Sequence, residues 1–187
     1  YYKRYNFRAS MDSDIFKWIN VGADVTFSHW KQNGIISGTG SNRAGVVMSV
    51  INTPTYAKVW SEENPDQYWT KFYGANVTTP AENIARQENF YDQNDRRILT
   101  GHATIKFSKN LNFKSTATMD RTWTFNYQFL DPIKTAEGRT QHGAANTTRA
   151  DNRVIVLDNI LTYKNNFGRH SLEAMAGTSA TLSHWEN

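Results

Sequence analysis

The 187-residue chain is 39% hydrophobic and 20% charged and holds no cysteine, which removes disulfides, thiolate metal sites and cysteine nucleophiles. Its formal charge of +4 comes from 21 basic and 17 acidic residues that are scattered, so the basic stripe of a nucleic-acid surface is missing and no nucleic-acid partner is expected. No run of about 18 apolar residues occurs, which excludes a membrane-spanning helix; a negative mean hydropathy still suits a β-barrel, whose strands are only half apolar.

The chain opens at Tyr1-Tyr2-Lys3-Arg4 without a signal-peptide pattern, already at the edge of an alternation. Tyr5, Phe7, Ala9, Met11 and Ile15 hold one parity and Asn6, Arg8, Ser10, Asp12 and Asp14 the other, which predicts a strand over 5–15 with one oily and one wet face. The pattern breaks at 16–20. It resumes with Val21, Ala23, Val25 and Phe27 against Gly22, Asp24, Thr26 and Ser28, a return strand over 21–30 that closes a hairpin.

Residues 31–96 form a polar stretch far above ordinary connection length, in which Ala44, Val47, Met48 and Ile51 recur at helical spacing before Pro54 and suggest a short helix. The second pair runs over 97–108 and 111–129 through a turn at Lys109-Asn110. Its long strand puts Leu111, Phe113, Ala117, Met119, Trp123, Phe125, Tyr127 and Phe129 on one parity. After a second long connection, 131–152, a third pair is predicted over 153–164 and 171–185. Pro54, Pro65, Pro80 and Pro132 all fall in the two long connections, as the missing amide donor requires.

Tight turns at one end and long loops at the other, repeated three times, are what an outer-membrane β-barrel needs. The predicted fold class is all-β: three hairpins, about six strands, of an antiparallel up-and-down transmembrane barrel. Six strands fall short of the roughly eight that close a barrel, so the chain is expected to be a partial barrel domain, interrupted on the long-loop side at both ends. In that orientation 31–96 and 131–152 are extracellular loops, while Trp18, Lys109 and Phe167 mark the periplasmic side. The strand 111–129 would span roughly 60 Å at about 3.3 Å per residue and project beyond the bilayer. Trp18 and Phe167 near the short turns, with Trp30, Trp123 and Trp185 further along, stand where interfacial aromatic girdles belong.

Two segments carry a family resemblance. Tyr5-Asn6-Phe7-Arg8, the acidic Asp12 and Lys17-Trp18-Ile19-Asn20-Val21-Gly22-Ala23 resemble the barrel of SusC/RagA-type TonB-dependent outer-membrane transporters of Bacteroidetes. Leu161 to Leu172 resembles another recurrent hairpin of that family. The resemblance implies a 22-stranded barrel around an N-terminal plug, importing oligosaccharides or peptides with a SusD-like surface lipoprotein as lid and the TonB complex as energy source. Plug and TonB-binding box have no counterpart in this sequence, so it would supply barrel wall and outer loops against outer-membrane lipid. Arg8, Asp12, Asp14, Asp24, Lys106, Lys114 and Asp120, on the wet parity, would then line the interior and pair with a plug.

Chemistry of other kinds finds little support. His29, His102, His142, His170 and His184 include no pair at ligand spacing, and Asp12 with Asp14, or Asp92 with Asn94 and Asp95, lack the rest of a calcium loop; no metal and no cofactor is expected. No nucleophile elbow or glycine-rich phosphate loop occurs, so no enzyme is expected. The aromatic cluster Tyr56, Trp60, Tyr68, Trp69, Phe72 and Tyr73 is the best candidate contact for substrate or lid, since flat rings among polar neighbours suit sugar or peptide faces. The plainer reading of the same rings is that they pack the loop onto itself or onto a partner. The alternative to a transporter is a soluble β-sandwich module that binds glycans through these rings, and a small barrel of adhesin or porin type is a third reading.

Overall fold

The computed structural model describes residues 1–34, 46–69, 71–72, 75–76 and 78–187. Six long strands form one sheet: β1 (Tyr2–Phe16), β2 (Ile19–Asn33), β5 (Phe90–Lys106), β6 (Leu111–Leu130), β7 (Ala144–Phe167) and β8 (His170–Glu186). Their order in the sheet is their order in the chain, antiparallel and up-and-down throughout. Between β2 and β5 lie α1 (Val46–Asn52), the two-residue strands β3 (Lys71–Phe72) and β4 (Ala75–Asn76), α2 (Pro80–Ala85) and a 3-10 turn at Arg86–Asn89; α3 (Ala136–Gln141) lies between β6 and β7.

The chain divides into two compact units. One contains Tyr1–Lys3, Lys31–Gln93 and Phe125–Arg149, the other Arg4–Trp30, Asn94–Thr124 and Ala150–Asn187. The second, the wall unit, is made of strands and tight turns. Its turns close as local chemistry requires: Ser108 Oγ accepts from the amides of Asn110 and Leu111, and Gly168 takes a left-handed φ of 61° that a side chain would resist.

The strands run further than the alternation predicts. β5 starts at Phe90 rather than 97 and β7 at Ala144 rather than 153, so the second long connection shrinks to 131–143 and contains α3. Over these extensions both parities are polar or mixed, and the pairing rests on cross-strand polar contacts: Asn126 donates to Asp92 Oδ1 at 2.5 Å and Thr124 to Asn94 Oδ1 at 2.8 Å. In α1 the outcome also differs from expectation. Val47, Met48 and Ile51 are exposed and Ser49 is buried, its hydroxyl bonded to Val46 O, while Ala44 lies outside the described residues.

Candidate functional site

In the wall unit each strand except β7, where Val154, Val156 and Ile160 add apolar side chains to the other face, presents one polar and one apolar face, and side-chain contacts show which residues share them. On the polar face Arg8 pairs with Asp24 at 3.3 Å, Asn6 accepts from Ser28 Oγ, Thr100 bonds Thr118 and Arg96 grips both oxygens of Asp120. Asn20 bridges Asp12 and Asp14, and His102 Nε2 reaches Asp12 Oδ2 at 3.1 Å from two strands away. Gly22 allows that reach, because a Cβ there would collide with the His102 ring and the Asp12 carboxylate. The interior charges expected to await a plug, Arg8, Asp12, Asp14, Asp24 and Asp120, thus have partners within the wall itself.

The apolar face is carried by odd-numbered residues of β1, β2, β5, β6 and β7 and even-numbered residues of β8, as the register Leu157↔Ala180 and Ile155↔Leu182 fixes for the last pair. From Ile15 to Phe7, Val21 to Phe27, Ile105 to Leu99, Leu111 to Met119, Asn165 to Ile155 and Leu172 to Leu182, this face holds no charged side chain. It is also uncovered: Phe7, Met11, Ile15, Leu157, Leu161 and Leu182 are exposed, and among the described residues Leu130 is the one buried hydrophobic. A water-soluble sandwich would bury this face against a second sheet, so its exposure weighs against that alternative.

The tryptophans fall into two groups. Trp18 stacks on Phe16 at 5.7 Å beside the first tight turn, Phe167 ends β7 at the last, and Trp123 stands on the apolar face. Trp30 and Trp185 stand instead on the polar face. Trp30 shares the parity of Ser28 and packs under the Arg4 guanidinium at 5.7 Å, and Trp185 opposes Asn152 across the β7–β8 ladder. A girdle position read from distance along the strand is overridden here by the two-residue period of the strand.

A feature missed at the sequence level borders the apolar face. Arg97 lies over Phe27 at 6.0 Å and Trp123 at 4.6 Å, and Arg121 lies over Trp123 at 4.0 Å while forming a bidentate pair with Asp151. The available signal was parity, since Arg121 falls in step with Met119 and Trp123.

The other unit holds the loop aromatics. Trp60 and Tyr68 form an isolated antiparallel bridge and stack at 4.5 Å with 21° between rings; Tyr56 meets Trp69 edge-on at 6.2 Å. Tyr56 and Trp60 are exposed. Phe72 contributes backbone to β3, and Tyr73 lies outside the described residues. Beside the stack a cavity of about 250 Å³ is lined by Ser61, Glu62, Glu63, Asn64, Gln67, Tyr68, Trp69 and Arg139. Lys58 pairs with Glu62 and holds its carboxyl below the usual range, while burial pushes the Tyr68 phenol up.

The segment is anchored by backbone and by one buried acid. The Tyr68 amide donates to Lys134 O at 3.2 Å. Thr79 caps α2 ahead of Pro80, and Thr135 caps α3 by accepting from the Gly138 amide. Glu82, wholly buried, joins the two helices: its Oε1 accepts from Arg86 Nη2 at 2.6 Å and from the Ala136 amide at 2.9 Å. Burial raises its carboxyl above the ordinary glutamate range against the pull of Arg86. Among the described residues no group of three His, Asp or Glu side chains could hold a metal, and no helix is long and apolar enough to cross a membrane.

This architecture, an up-and-down antiparallel sheet with consecutive strands paired, is that of a β-barrel wall segment. It superposes on chains in structures of the RagAB peptide importer: the open-open state at TM-score 0.71 over 98% of this chain, the closed-closed state at 0.69 over 97%, and the RagAB peptide transporter at 0.66 over 96%, each at 19% identity. This chain spans about a fifth of the length of those chains, 20% to 22%. What is shared is the fold. No protein-family model and no curated protein sequence matches the chain.

Proposed function

We propose that this chain is barrel wall and outer loop of an active importer in a bacterial outer membrane, SusC-like and energised through the TonB complex, with a SusD-like surface lipoprotein as partner. The observation that carries the reading is an apolar band free of charged side chains on all six strands, exposed on β1, β7 and β8 and half-buried on β5 and β6, opposite a face of interstrand ion pairs. That division suits lipid on one side and a polar lumen on the other. The fold shared with the RagAB chains supports transport, and their peptide cargo favours peptides over oligosaccharides as the substrate class. In this reading the exposed Tyr56 and Trp60, beside the cavity at Tyr68 and Trp69, contact substrate or lid. The protein is a transporter and not an enzyme, and a 22-stranded barrel with 31–96 facing outward is its expected setting.

The decisive experiment is fractionation of the native full-length protein. It should stay in the membrane pellet through an alkaline carbonate wash and need detergent for extraction. Release into the aqueous fraction would overturn the proposal.

A further inference from the structure

Resting on that membrane reading, we infer that Lys3 and Lys31, a like-charged pair facing each other across β1 and β2, hold the phosphate of an anionic lipid headgroup between them, with Arg149 as a third cation on the same face. All three lie in the unit that contains Lys31–Gln93. The Asn33 amide donates to Tyr1 O at 2.9 Å and the Gly34 amide to Phe90 O at 3.0 Å, which sets Lys3 directly opposite Lys31 and Lys31 opposite Gln93. Two like charges facing each other across a ladder destabilise it. An anion held between them removes that cost.

No carboxylate answers these cations. On this face the strand residues of the unit include Lys3, Lys31 and Arg149 and no Asp or Glu. Asp131, just past the end of β6, turns its carboxylate onto the amides of Ile133 and Lys134. In the other unit the charges on this face cancel, Arg97, Arg121 and Arg153 against Asp95, Asp151 and Glu186. Lys3, Lys31 and Arg149 form no ion pair among the described residues and lie against rings instead: Lys3 Nζ at 4.9 Å from Tyr1, Lys31 Nζ at 3.7 Å from Tyr91 and the Arg149 guanidinium at 5.5 Å from Phe125. Their level suits a headgroup. Phe125 is fourteen residues along β6 from Leu111, about 46 Å of strand and about 33 Å along the normal at about 45° tilt, just past ~30 Å of hydrocarbon. A free phosphate would meet the same cations, but only a lipid also covers the charge-free band that continues along the same strands.

The test uses full-length protein in maltoside micelles, which carry no phosphate, with and without added phosphatidic acid. The readout is the temperature at which heat-modifiable migration in gels is lost. Lys31→Gln should melt above the parent in maltoside alone, where it relieves the repulsion from Lys3, and below the parent once phosphatidic acid is present. Lys3→Gln should show the same reversal, and it decides where Lys31→Gln fails to fold. In native mass spectrometry each of the two, and Arg149→Gln, should weaken retention of phosphatidic acid about fivefold, the equivalent of ~1 kcal/mol per basic side chain at an anionic surface. Lys114→Gln, the same charge change on the polar face, should leave retention unchanged. A shift of one sign in both conditions overturns the inference. Stabilisation by inorganic phosphate equal to that by the lipid overturns it too, and so does equal stabilisation by polyglutamate, which would assign the row to an acidic polypeptide. A protein that never enters membranes would instead overturn the functional reading beneath it.

Discussion

His102 on β5 contacts Asp12 on β1 across the intervening strand, Nε2 to Oδ2 at 3.1 Å, through the space left by the missing side chain of Gly22. With Asn20 bonded to both Asp12 and Asp14, the contact ties three consecutive strands together on the polar face. A ladder hydrogen bond joins only neighbours, so this cluster adds second-neighbour cohesion to the wall.

Gly22→Ala should therefore sever the contact without breaking the strand, because the atoms in its way are ends of side chains that can turn aside. In a double-mutant cycle with His102→Ala, the two substitutions should couple by about 0.5–3 kcal/mol in urea titration of the protein in lipid vesicles. Strict additivity would show that His102 and Asp12 do not cooperate.

A charge placed within the uncharged band measures which side faces lipid. Met119→Arg on the apolar face should destabilise the membrane-folded protein by about 2–4 kcal/mol, while its neighbour Thr118→Arg should change stability by far less. Equal effects of the two would contradict the assignment of faces.

Glu82 governs the anchoring of the loop segment. Its carboxyl is raised in the folded state, so its contribution is fully present below the unfolded glutamate value of 4.5 and is lost as pH rises through the higher folded value. Amide exchange at Ala136 should accordingly slow as pH falls toward that ordinary value, after correction for intrinsic rates, and Glu82→Gln should abolish the dependence. Glu82→Ala deprives the buried Arg86 of that carboxylate and should cost the segment about 3–5 kcal/mol.

The loop aromatics are testable apart from the wall. If the proposed function holds, Trp60→Ala, which removes the ring stacked on Tyr68, should weaken peptide uptake by the full-length protein about three- to tenfold, the range of one aromatic contact, with its melting unchanged. Uptake equal to the parent would assign Trp60 to packing alone.

Much of the wall was legible in the sequence because a strand's period is a local property. The alternation of Phe7, Ala9 and Met11 with Arg8, Ser10 and Asp12 states which residues share a face, whatever lies beside them. The lack of charge along the apolar band, breaks in the alternation at 16–20 and 165–170 and the positions of Trp30 and Arg121 by parity follow from the chain alone, whereas the two-residue turns at 17–18 and 168–169 come from the pairing of the strands. Where both parities turn polar, as at Phe90 to Arg96 and Ala144 to Asn152, periodicity carries no signal, and the strands exist because Asp92, Asn94 and Asp151 find partners across the sheet. Those partners were the contribution of tertiary structure. Register decides that Asp12 meets His102 ninety residues away, that Arg121 finds Asp151, and that Glu82 anchors Ala136. Pairing distance and burial are relations between chain segments, and no single segment encodes them.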